Sequence, residues 1–142
     1  MADDLAMTIA AWSPLAGGLL TGKYATSHPP TTARLGTPQP TQREQAIIQA
    51  VARAAAETGR TPAQVALAWV ASRSHAVHPI LGARTVDQLT ESLGYLDSPL
   101  PQEVLDRLAA ESRIERGFPA EFIEANQSWV FGAAANLDVG TY

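Results

Sequence analysis

Apolar residues are grouped along this chain in runs of different period. Met7-Thr-Ile-Ala-Ala-Trp-Ser13 is a short apolar run closed by Pro14 and reads as a buried strand. Residues 1–6 read as the end of a helix whose beginning is absent, which points to truncation. Residues 14–41 carry no period. They hold Gly17, Gly18, Gly22 and Gly36 with Pro29, Pro30, Pro38 and Pro40. Loops of that length are functional or disordered. The first part is expected to be ordered around a ligand, and the part from Ser27 to Gln39 to be mobile.

Thr41 and Glu44 have the spacing of a capping box at a helix start. Ile47, Val51, Ala54 and Ala55 then recur on one face, and Gly59 is a fitting stop. Thr61 restarts a helix at once, with Pro62 in its first position and Gln64 at the box position. This helix, running to about Arg73, is apolar almost all round through Val65, Ala66, Leu67, Ala68, Trp69 and Val70, so it should be buried. Val77-His-Pro-Ile-Leu81 reads as a second buried strand and Gly82-Ala-Arg84 as a tight turn. Thr85 caps a helix to Gly94, with Gln88 at the box position. A further helix spans about Gln102 to Arg113. Beyond Gly117 the chain reads as an irregular tail, docked on something else.

Strands alternating with helices mean βα units and a parallel sheet. Two parallel strands cannot bury themselves, because each needs neighbours and cover on both faces. A complete (β/α)₈ barrel takes roughly 250 residues, and this chain has 142. The predicted fold is α/β, part of a (β/α)₈ TIM barrel: about two βα units, a C-terminal helix and a tail. Residues 1–142 are expected to form one partial domain, with 14–41 as loop and 117–142 as tail.

Composition narrows the function. Hydrophobic residues make up 46% and charged residues 17%, the balance of a globular chain. A net charge of −4 argues against nucleic acid or an anionic membrane surface as partner. With no cysteine, disulfides, thiolate catalysis and cysteine-type zinc sites are excluded. No apolar run approaches the ~18 residues of a membrane helix, and Met1-Ala-Asp-Asp is unlike a secretory signal. Cytoplasmic residence is expected.

Gly17-Gly-Leu-Leu-Thr-Gly22-Lys23 has the form G-x-x-x-x-G-K, whose backbone amides and lysine can cradle phosphate. Tyr24 stands where that motif needs Ser or Thr for magnesium, and no helix follows at once. A nucleotide-hydrolysing loop is therefore the remote alternative, and a glycine-rich turn after a strand the plainer one. Gly82-Ala-Arg84-Thr85 leads into a helix N-terminus, whose free amides and dipole favour an anion. Arg84 can grip a phosphate bidentately, and Thr85 adds a hydroxyl. The alternative is an ordinary capped helix with a solvated arginine. His28, His75 and His78 lack metal-ligand spacing, so no metal site is expected. His78 should be packed or hydrogen-bonded, and Trp12, Trp69 and Trp129 should be core or docking residues.

Two segments carry a resemblance. Trp12-Ser-Pro-Leu-Ala-Gly-Gly-Leu-Leu-Thr-Gly-Lys-Tyr24 resembles the seventh strand and following loop of aldo-keto reductases. Ile80-Leu-Gly-Ala-Arg-Thr-Val-Asp-Gln-Leu-Thr-Glu-Ser-Leu-Gly94 resembles their eighth strand and NADP-binding turn. Ala63-Gln-Val-Ala-Leu-Ala-Trp-Val70 is similar to the helix between them, and Gly117-Phe-Pro-Ala-Glu-Phe122 to a tail of some bacterial members. The resemblance implies the last two βα units of the barrel, NADP(H) as cofactor, and hydride transfer to aldehydes or ketones. It implies Ser13, Leu15, Gly17 and Leu19 along the nicotinamide side and pyrophosphate. Gly82, Ala83, Arg84 and Thr85 would hold the 2′-phosphate, and Gln88 and Glu91 would approach the adenosine. Ser92 stands where the family commonly has asparagine, at the adenine contact.

The family's proton-donating tyrosine, with its lysine, aspartate and histidine, lies on early strands that have no counterpart here. The chain is therefore expected to be catalytically inactive alone. A carbonyl substrate would be handled only when an N-terminal half completes the barrel. The competing expectation is a non-catalytic remnant or regulatory module that binds NADP(H) or a full-length relative; the family's potassium-channel β subunits are similarly used for partner regulation. Exposed strand edges are expected to favour self-association.

Overall fold

The computed structural model describes residues 2, 5–22 and 40–132. The segment expected to be mobile, Lys23, Tyr24, His28 and residues 133–142 lie outside the described residues. Two compact units are present, Met1–Ser112 and Arg113–Tyr142.

In the first unit β1 (Ile9–Ala11) pairs in parallel with β2 (Val77–Pro79), in the register Ile9–Val77, Ala10–His78, Ala11–Pro79. Between them lie a 3₁₀ segment (Ala16–Thr21), α1 (Gln42–Thr58) and α2 (Pro62–Ala71). After β2 come α3 (Val86–Leu93) and α4 (Gln102–Ser112). The architecture is thus α/β with a parallel strand pair, as the alternation of elements predicts. Ahead of β1, the Met7 amide donates to the Ala2 carbonyl across a left-handed Ala6, φ 50°. A six-to-one bond around a left-handed residue is the geometry that closes a helix C-terminus.

Both predicted capping boxes form. The Thr41 hydroxyl accepts from the Glu44 amide at 3.3 Å, and Glu44 Oε2 accepts from the Thr41 amide at 2.7 Å. Thr61 and Gln64 repeat the arrangement at 3.3 and 3.1 Å. Each such cap contributes about 1 kcal/mol. The helices they start then bury Ala50, Val51, Ala54 and Ala55 of α1 against Val65 and Ala68 of α2 and Val104 and Leu108 of α4, and Ile48 of α1 is buried as well. Ile48 is more deeply buried than the expected Ile47, which packs on the edge of this cluster. Leu67, Val65 and Val104 are fully buried, each burial stabilising by about 1.5–3 kcal/mol. The small alanines let α1 and α2 approach closely, and α2 also packs on β2 and the 3₁₀ segment. That explains why α2 is apolar on nearly every side.

Two expectations are corrected. The strands are not buried: Ile9, Ala10, His78 and Ile80 are exposed, and Trp12 is 84% exposed. Each strand has one partner among the described residues, and α2 covers part of the pair only, so apolar side chains are left uncovered. His78, expected to be packed or hydrogen-bonded, is exposed on this open surface. The second correction concerns the tail. Residues after Gly117 form α5 (Ala120–Ala125) and α6 (Gln127–Phe131). Phe122 stands between Phe118 and Trp129 at ring-centroid distances of 6.1 and 6.4 Å. These aromatic contacts give two short helices something to pack on that their polar neighbours hide in the sequence. Trp69 packs on the core and carries Arg73 over its ring at 5.2 Å. Trp129, like Trp12, is exposed.

The α1 cap has a titratable member. The backbone amide of Thr41, and then its hydroxyl, hold the Glu44 carboxyl below its ordinary value of 4.5. Unfolding returns the group to that value. A folded pKa below the unfolded one means the bond stabilises the fold above pH 4.5 and is lost as pH falls through the lowered value. Carboxyl-carbon NMR is expected to place the Glu44 midpoint below 4.5, and Thr41→Ala, which keeps the amide and removes the hydroxyl, to move it part of the way back up. A midpoint at or above 4.5 in the unaltered chain would contradict the cap.

Candidate cofactor site

β1 and β2 are adjacent and parallel, so the segments that leave their carboxyl ends emerge on the same side of the sheet. Ser13 begins the first segment and Gly82 the second. In open and closed parallel α/β sheets, ligands bind outside the carboxyl ends of the strands. Strand topology alone therefore brings together the two segments singled out in the sequence.

The first segment is wound tightly. Ser13, Ala16, Gly17 and Gly18 have φ of 56°, 48°, 67° and 104°. Positive φ is uncommon for serine and alanine, and such strain clusters at ligand-binding loops. The loop bonds to itself: the Ala16 amide donates to the Ser13 carbonyl and the Gly18 amide to the Leu15 carbonyl, both at 2.9 Å. The Gly17 amide donates to Ser13 Oγ at 3.3 Å, which leaves the Ser13 hydroxyl proton for a ligand. A Cβ on Gly18 would meet nothing within 4 Å, so the backbone here is open to close approach. Gly17 is exposed, and Leu15 and Leu19 are half-buried. At the far end a Cβ on Gly22 would come within 3.0 Å of Pro62 Cγ, so the loop rests against the start of α2.

The second segment leads into α3. The Thr85 hydroxyl accepts from the Gln88 amide at 3.2 Å, as its cap position predicts. The return bond is displaced by one residue, because Gln88 Oε1 accepts from the amide of Arg84 at 3.0 Å rather than from Thr85. Gln88 thereby ties down the residue whose guanidinium is the local cation. Arg84 is exposed and makes no ion pair among the described residues. Gly82, Ala83, Thr85 and Glu91 are exposed as well, and Ser92 is half-buried. A Cβ on Gly82 would also meet nothing within 4 Å. First-turn amides of a helix lack internal acceptors, and only that of Gln88 is met by the cap. A free guanidinium, a hydroxyl and helix-start amides form a donor set that fits a phosphate.

Elsewhere, a cavity of about 440 Å³ lies between α1 and α4, lined in part by Arg53, Glu57, Arg107 and Glu111. Its charges are spent on one another, Arg107 pairing with Glu57 and Arg53 lying 3.9 Å from Glu111. Among the described residues no group of acidic, histidine or cysteine side chains can hold a metal, and no helix is long and apolar enough to cross a membrane.

Residues 1–112 match the model of the aldo/keto reductase family. The chain is 39% identical over 108 residues to an uncharacterized oxidoreductase, YrpG, of Bacillus subtilis (strain 168), covering 75% of this chain and 32% of that protein. It is 32% identical over 111 residues to a putative voltage-gated potassium channel subunit beta of Schizosaccharomyces pombe, covering 70% and 30%. A putative aryl-alcohol dehydrogenase of Saccharomyces cerevisiae, YFL057C, is 28% identical over 129 residues, covering 87% and 85%. The chain spans about a third of the length of the first two relatives and most of the third. With the family match running unbroken through β1, β2 and the loops that follow them, the chain belongs to the aldo/keto reductase family.

Proposed function

We propose that this chain is the NADP(H)-holding part of an oxidoreductase that interconverts carbonyl compounds and alcohols. Its two strands are the last two of a (β/α)₈ barrel, and the cofactor lies across the loops at their carboxyl ends. The observation that carries this is the exposed Arg84, without an ion pair among the described residues, at the capped start of α3 on the same side of the sheet as the glycine loop.

When bound, NADPH supplies the hydride; the residues of this chain bind and orient it. Arg84 and Thr85 meet the 2′-phosphate, with Gly82 and Ala83 giving it open backbone. Gln88 and Glu91 stand toward the adenosine, with Ser92 beside them. The open backbone of Gly17 and Gly18 admits the pyrophosphate, and Ser13, Leu15 and Leu19 flank the path to the nicotinamide. The resemblance puts the proton donor on earlier strands of the barrel, so a carbonyl substrate is turned over only when those strands are supplied.

A second reading is favoured by the relative named as a potassium channel subunit: a module that binds NADP(H), or a full-length relative, without catalysis. The glycine-rich loop as an ATP-hydrolysing site is set aside, because Tyr24 stands where the motif needs serine or threonine.

The test is a fluorescence titration of the purified chain with NADPH, followed by competition. Saturable binding, displaced by adenosine 2′-phosphate and not by adenosine 5′-phosphate, is the expected result. Absence of saturable binding would overturn the proposal.

A further inference from the structure

The first turn of α2 touches both the end of the first loop and the last turn of α3. Pro62 abuts Gly22 at the end of the first loop. Gln64, two residues on, reaches α3, the helix that follows the second loop. Its Oε1 accepts from the Thr61 amide at 3.1 Å, and its Nε2 donates to the Glu91 carbonyl at 2.8 Å. One side-chain amide thus closes the start of α2 and adds a second donor to the Glu91 carbonyl in the last turn of α3, which also accepts from the Gly94 amide. Gly94 makes room for it: a Cβ there would collide with Gln64 Nε2. The φ of Gly94 is −56°, so glycine serves space here and not torsion.

That tie matters because little else fixes α3. The helix buries no residue, and Val86 at its start is 78% exposed. A helix without a buried face depends on its polar ties and its ends for placement. We propose that Gln64 is a positioning residue for the cofactor, holding α3 so that Arg84, Thr85 and Glu91 stand where the 2′-phosphate and adenosine bind. The inference rests on the function proposed above.

Two variants test it. Gln64→Glu keeps the oxygen that accepts from Thr61 and adds a negative charge at a helix start, where it is favourable. It loses the Nε2 donor and sets a carboxylate against the Glu91 carbonyl. Gly94→Ala leaves Gln64 intact and displaces its amide. In both, hydrogen exchange is expected to quicken by about 3- to 10-fold across α3, the worth of one hydrogen bond, while α2 stays protected. NADPH affinity is expected to fall by about the same factor, and more than NADH affinity, because Arg84 moves with α3. Unchanged exchange in α3, or faster exchange with unchanged NADPH binding, would overturn the positioning role. Failure of the unaltered chain to bind NADPH, with α3 exchange behaving as expected, would sink the proposed function. It would leave Gln64 as a clamp between helices, with no cofactor to position.

Discussion

Incubated with NADPH and an aldehyde, the purified chain is expected to consume no cofactor beyond the protein-free rate. Carbonyl reduction needs a proton at the oxygen as hydride reaches the carbon, and a positioned acid contributes about 10²–10⁴-fold. The resemblance assigns that acid to a tyrosine tuned by a lysine, an aspartate and a histidine, on strands that these residues do not supply. Among the described residues, Tyr95 and His78 are not expected to substitute. Tyr95 packs against the α1–α2–α4 core, and His78 stands in mid-strand on the exposed surface of β2. Co-expression with the part of a full-length relative that this chain does not span is expected to restore turnover. Steady reduction proportional to the concentration of the chain alone would sink the claim, and would mean that an acid within these residues reaches the substrate.

What was legible in the sequence was what neighbours along the chain decide. A threonine three residues before a glutamate or glutamine fixes its helix start through bonds that span one turn, and Thr41 and Thr61 both make them. The parallel pairing followed from the alternation of strand and helix. So did the convergence of the Ser13 and Gly82 segments, which needs only two adjacent strands pointing the same way. Burial of the strands was not legible. Met7 to Ser13 is apolar enough for an interior, but whether Ile9 is covered depends on strands and helices beyond these residues. The capping role of Gln88 was legible and its register was not, because the turn at Gly82 brings the Arg84 amide within reach in place of that of Thr85. Gln64 shows the limit most clearly. Its spacing from Thr61 announces a cap, and nothing in its surroundings announces the Glu91 carbonyl, 27 residues away. Such a tie exists only once α2 and α3 are packed. The helices after Gly117 were hidden for a related reason, since their stability rests on Phe118, Phe122 and Trp129 meeting across a turn.

Arg84→Ala is expected to weaken NADPH by about 10- to 100-fold while changing NADH by far less. Charge-assisted hydrogen bonds contribute about 1.5–3 kcal/mol, and 1.4 kcal/mol is tenfold in affinity. The two cofactors differ only by the 2′-phosphate, so the difference between their losses isolates the contact. The substitution should leave the fold intact, because the Arg84 side chain is exposed and has no ion pair among the described residues, and the bond from its backbone amide to Gln88 survives. Arg84→Lys should fall between the two, retaining charge and losing the fork that meets two phosphate oxygens at once. Added salt should erode the unaltered chain's preference for NADPH more than that of Arg84→Ala, since the screened interaction is the one removed. Equal losses of both cofactors on Arg84→Ala would place the guanidinium away from the 2′-phosphate. The start of α3 would then be an ordinary capped helix carrying a solvated arginine.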